Sequence, residues 1–159
     1  MADYITKQFF GTAVEIANIV TDVGASNFSG ASNIFDNTTD ATVPYAQFAV
    51  MTARIPDFAA APVVNTPIEI WGVPQDTMGT DDDGLDETVT NVSVPGAKYM
   101  GAWILAAADQ LQQRTTIVDL TGIRKIKFYF KNGTAQNLNN DGTNSFLVNI
   151  TPMSYGVTA

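Results

Sequence analysis

Residues 75–87 read "QDTMGTDDDGLDE", and the densest set of reactive groups in the chain lies here: Asp76, Asp81, Asp82, Asp83, Asp86 and Glu87. Carboxylates are hard oxygen ligands of the kind calcium takes. Tested against the calcium-binding helix-loop-helix pattern with Gly84 at the required glycine, the first ligand falls on Gly79 and the closing glutamate on Thr90. Both positions fail, and carboxylates alone specify little, so a solvated loop is the favoured reading. Paired carboxylates also hydrolyse glycosides. The glutamates are Glu15, Glu69 and Glu87, and no two occupy recognisable adjacent strand positions.

The chain has neither histidine nor cysteine. That removes Ser-His-Asp and Cys-His nucleophiles, histidine-based zinc sites and disulfide scaffolds. The expectation is a protein that is not an enzyme and carries no cofactor and no metal. A formal net charge of -8 over 159 residues argues against nucleic acid and anionic membrane as partners. No basic region followed by a long apolar run opens the sequence, so no signal peptide is expected. Five Asn-x-Ser/Thr sequences, at Asn27, Asn37, Asn91, Asn132 and Asn149, reflect abundant Asn and Thr.

Charge is distributed unevenly. Five of the eight basic residues lie between Arg114 and Lys131. In "RKIKFYFK", Lys125, Lys127 and Lys131 alternate with Ile126, Phe128 and Phe130, so one face of a strand is basic and the other apolar. The bland account is a solvated face with lysines guarding a sheet edge. The sharper account makes Lys125, Lys127 and Lys131 one side of a candidate interface. Asp81, Asp82, Asp83, Asp86 and Glu87 would then supply the other side across a subunit boundary.

The elements that must position these groups are short strands. "YAQFAVMTARI" spaces Phe48 and Val50 two apart, between Pro44 and Pro56. "PIEIWGVP" puts Ile68 and Ile70 on one face and Glu69 and Trp71 on the other, with prolines closing its ends. "KYMGAWILAAA" places Tyr99, Trp103 and Leu105 on one side. "RTTIVDL" is short and β-branched, and "SFLVNI" aligns Phe146, Val148 and Ile150. "AAADQLQQR" is the best helical candidate. Asn-Gly in "KNGT" and Asn-Asp-Gly in "LNNDGTN" read as turns linking the last two strands, with binding through Gln136, Asn137 and Asn139 the lesser reading. Trp71, Tyr99 and Trp103 could stack on sugars, although core is the favoured place for Trp103. The pattern predicts an all-β antiparallel sandwich, jelly-roll-like, over residues 31–159, preceded by an N-terminal arm over 1–30.

Several segments, in order from about residue 31 to 155, resemble small virion proteins of tailed bacteriophages. They are "IFDNTTDATVPYAQFAV", "PIEIWGVPQD" with its acidic loop, "YMGAWIL", "TTIVDL", "KIKFYFKNGTAQNL" and "FLVNITPMSY". The resemblance implies a capsid decoration (cement) protein that is made in the bacterial cytoplasm. It would sit on the virion surface, bind the major capsid protein and associate with itself as a homotrimer. The alternatives are a tail or baseplate component, or a carbohydrate-binding host-adhesion module.

Overall fold

The structure is a computed structural model and describes residues 5–20, 23–29, 31–58, 60–75, 97–106, 110–138 and 145–158. Among the described residues nine strands run in order: β1 (Ile5–Phe10), β2 (Val14–Ile19), β3 (Phe35–Asp36), β4 (Phe48–Ile55), β5 (Pro67–Pro74), β6 (Lys98–Ile104), β7 (Gln112–Asp119), β8 (Lys125–Asn132) and β9 (Phe146–Thr158). No helix occurs among the described residues, and the end of the helical candidate, Gln112–Arg114, opens β7.

All strand pairs are antiparallel, and they nest. β1 and β2 pair with β9, β3 with β8, β4 with β7, and β5 with β6. The chain is one long hairpin, rolled so that β9 also pairs β4 and β8 also pairs β5. The result is two sheets, β1/β2-β9-β4-β7 against β3-β8-β5-β6. This is the jelly-roll order, and the all-β sandwich expected from the alternation is what forms. The acidic segment falls between β5 and β6 in the sequence. Asp76, Asp81, Asp82, Asp83, Asp86 and Glu87 lie outside the described residues.

The core fills the space between the sheets. Ile126, Phe128, Phe130, Phe146, Val148 and Ile150 are all buried in it, as their period of two predicts. Its aromatic centre is Trp103, Phe130 and Phe146, with ring centroids 5.3–6.1 Å apart. The Trp103 indole N–H donates to the Met51 carbonyl at 3.3 Å. β4 makes room for the indole by turning its small residues inward. Ala49, Met51, Ala53 and Ile55 face the core, whereas Phe48 and Val50 lie on the opposite, outer face.

Tyr99 also departs from its expected face. The pairing of β5 with β6 slips by one residue between Ile70 and Trp71, so that Met100 is extra and Gly101 takes φ 146°. Glycine adopts that backbone without a steric penalty. The bulge reverses the alternation, leaving Trp103 buried and Tyr99 half exposed beside Trp71.

The stretch read as an arm is woven into the sandwich through its described residues. β1 and β2 form one interrupted strand along β9, and Ile16, Ala17 and Val23 belong to the core. The interruption at residues 11–13 has a local cause. The Pro152 carbonyl accepts from the Gly11 N–H at 2.9 Å, but proline offers no N–H in return on that side of β9. Further on, Ser29 and Ser32 act as a substitute strand for β8. Their amides donate to the carbonyls of Phe130 and Phe128, at 2.7 and 2.8 Å. Their hydroxyls accept from the same two residues' amides, at 3.1 and 2.9 Å. β8 is thus an interior strand and its lysines guard no free edge.

The link after β8 is held by one buried side chain. Asn132 donates to the carbonyls of Val23, Gly24 and Gln136 and accepts from the amide and hydroxyl of Thr134. Gly133, read as a turn residue, has no positive φ; it is needed because a Cβ there would meet the Pro67 carbonyl at 2.7 Å. Asn137 accepts from the Ala25 amide at 3.0 Å, so its side chain is in structural use. Asn139 and the rest of "NNDGTN" lie outside the described residues. Burial of Asn37 and Asn132 also closes those two Asn-x-Thr sequences to modification in the folded protein.

Three aspartates organise the loops and make stability pH-dependent. Asp40 accepts from the amides of Thr12, Val43 and Thr42 at 2.6–2.8 Å, and these bonds hold its carboxyl below the ordinary aspartate value. Asp119 is lowered by the amide and hydroxyl of Thr121. Burial pushes Asp36 up, but the Thr38 hydroxyl and amide and the Lys125 ammonium together outweigh it. A carboxylate lowered on folding stabilises the fold above its unfolded pKa, about 3.9, and loses that effect as pH falls through the folded value. The Asp40→Asn variant is therefore expected to melt below the wild type at pH 7. The gap should narrow steadily below about pH 4. A gap independent of pH down to 2 would show that the Asp40 charge contributes nothing.

Candidate interaction surfaces

Among the expected interface lysines, Lys125 and Lys131 are neutralised within their own chain. Lys125 stands opposite Asp36 in the β3–β8 register, with its ammonium 3.3 Å from the carboxylate. Lys131 stands opposite Glu69 in the β5–β8 register at 3.8 Å, and lies 5.8 Å from the centre of the Phe28 ring. Lys127 is half-buried opposite Val73. Such partly exposed pairs stabilise weakly. They nonetheless replace a continuous basic stripe with alternating local pairs.

The same outer face of the β8 sheet carries a second small apolar cluster. Phe28, Val73 and Tyr129 are buried there, with Ala31, Trp71 and Ala97 packed against them. Trp71 is wedged edge-on between Phe28 and Tyr99, at 6.0 and 5.6 Å between ring centroids. Its indole N–H donates to Glu69 at 2.9 Å. Trp71 is therefore a half-buried strut, and of the three aromatics considered for sugar stacking only Tyr99 stands out, 52 % exposed.

The opposite sheet presents a different outer face. Cross-strand register aligns Phe10, Met153, Phe48 and Asp119 in one row, and Thr151, Val50 and Ile117 in the next. Asn149, Thr52 and Thr115 follow, then Leu147, Arg54 and Gln113. Tyr155 extends the surface beside Gln8, packing edge-on against Phe48 at 6.0 Å and receiving a hydrogen bond from the Gln8 amide at 3.1 Å. Phe10, Ile117 and Tyr155 remain 45–55 % exposed. By the same register Glu15 on β2 pairs Asn149, so the charged residues of these rows are Glu15, Arg54 and Asp119, at the margins.

This face was legible in principle. Reading β4 by its small residues would have sent Ala49, Met51 and Ala53 inward and Phe48 and Val50 out. Pairing it with β7 and β9 could not be read, because register is set between residues about 60 to 105 positions apart. Aromatic residues combined with few charges are the composition of a protein-binding patch. No protein-family model and no curated protein matches the chain.

Proposed function

We propose that the protein is a structural component of a tailed-bacteriophage particle, a decoration (cement) protein that binds the outer head lattice and stabilises it. The observation that carries this reading is the outer face of the β1/β2-β9-β4-β7 sheet, where Phe10, Phe48, Val50, Ile117 and Tyr155 form a surface with charges only at its rim. Its layout suits burial against another protein, since few ions need desolvation. The ordered resemblance from residue 31 to 155 supports the same role.

Self-association as a homotrimer fits this role. Three copies of a modest contact, presented together to a lattice of the same symmetry, bind far more tightly than one. Partners are then the major capsid protein and other copies of this chain.

The test mixes purified protein with capsids lacking it. Occupancy should saturate, and decorated capsids should survive heat or osmotic shock that breaks bare ones. The double variant Phe10→Glu with Ile117→Glu alters two half-exposed side chains, so it should keep the wild-type melting temperature within a few degrees. Its affinity for the capsid, read from the concentration at half-occupancy, should fall at least about tenfold, the ratio that about 1.4 kcal/mol gives. A protein that is strictly monomeric and neither binds nor strengthens capsids overturns the proposal. In that event, attachment to isolated tails or to host glycans would identify the replacement.

A further inference from the structure

A cleft of about 290 Å³ opens at the end of the sandwich where the β3–β4 and β7–β8 loops meet. One buried side chain builds it. Asn37 donates to the carbonyls of Ala46 and Ile123, both at 2.9 Å, and accepts from the Ala46 amide at 3.1 Å. Its own backbone accepts from Tyr45 and donates to Arg124, both at 2.7 Å. A single residue thus clamps the two loops together and fixes the positions of Tyr45 and Arg124.

Tyr45 is unusual on two counts. Its φ is 55°, a left-handed conformation that is costly for a bulky residue, and its side chain is 60 % exposed. The fold holds an aromatic ring out into solvent at the expense of backbone strain. The Arg124 guanidinium lies 5.9 Å from the centre of that ring. Arg124 is the one charged residue lining the cleft, and no salt bridge to it occurs among the described residues. Leu120 and Ala46, both buried, form an apolar floor with Ile123.

We infer that this cleft receives a carboxylate side chain of a protein partner. A planar guanidinium fork matches a carboxylate bidentately, and the adjacent phenol can donate a further hydrogen bond. A single cation suits a singly charged carboxylate better than a doubly charged phosphate. The apolar floor accepts the methylene stem of a glutamate, which favours an acidic peptide over a free inorganic anion. The site lies apart from the apolar sheet face and stands whether or not the partner is a capsid.

The experiment follows backbone amide resonances of the whole protein during titration with N-acetylglutamate α-methylamide, which carries only the side-chain carboxylate, its glutamine counterpart and inorganic phosphate. The glutamate compound should move the amides of residues 45–47 and 120–124 and saturate in the millimolar range. The glutamine counterpart should bind at least about tenfold more weakly. Arg124→Gln should abolish the response and Arg124→Lys should weaken it, both with unchanged melting temperature. Lys98→Gln, an exposed cation on β6, should respond like the wild type. Equal binding of acid and amide, a response that survives Arg124→Gln, or tighter binding of phosphate at the same amides would each overturn the inference.

Discussion

Trp103→Ala is expected to destabilise the protein by about 3–5 kcal/mol, the range for removing a large aromatic from a packed core. Trp103 is 1 % exposed and packs on both Phe130 and Phe146, so each of the two remaining rings loses a neighbour at once. The neighbours cannot collapse into the gap. Ala49 and Ala53 on β4 are small, and the β4 backbone is fixed by pairing on both sides, with β7 and β9. The change also removes a donor from the Met51 carbonyl. Against a domain stability of about 5–15 kcal/mol, such a loss leaves a marginal protein or an unfolded one. Equilibrium urea unfolding measures it, with Trp103→Phe as the milder control. A loss below about 1 kcal/mol would mean that the three-ring centre is not packed as described.

A chain lacking residues 1–30 is expected not to fold. The truncation removes Ile16, Val23 and Phe28, all buried, each representing about 1.5–3 kcal/mol of apolar transfer. It also strips the whole outer edge of β9, where β1 and β2 pair, and takes Ser29 from the edge of β8. Long unpaired edges of this kind invite aggregation. Far-UV circular dichroism and size exclusion should show loss of β-structure or insoluble material. A soluble truncated chain that unfolds cooperatively within about 1 kcal/mol of the full-length protein would restore the arm.

What local pattern encodes was legible. Alternation in "RKIKFYFK" and "SFLVNI" fixed which side chains enter the core, because successive Cβ atoms point to opposite faces whatever the strand's partners. Prolines bounding "PIEIWGVP" marked β5, and the pairing of Ile68 with Ile70 inside and Glu69 with Trp71 outside held. These facts required nothing beyond period and backbone geometry, and they were enough for an all-β sandwich.

Tertiary structure decided the rest, because each remaining fact depends on which strand lies next to which. Lys125 and Lys131 read as an open basic stripe, yet register sets Asp36 and Glu69 directly across from them. Tyr99 read as sharing a face with Trp103, yet one extra residue in β6 reverses its face. Residues 1–30 have poor periodicity by themselves, and Ile5–Phe10 and Val14–Ile19 become strands only because β9 offers an edge long enough for both β1 and β2. In β4 the small residues turn inward to accommodate an indole about fifty positions away, a choice of face that the strand's period alone leaves open. A strand's own pattern determines its two faces, whereas partner, register and bulge are free energies of nonlocal pairing, and those are settled only when the sheets assemble.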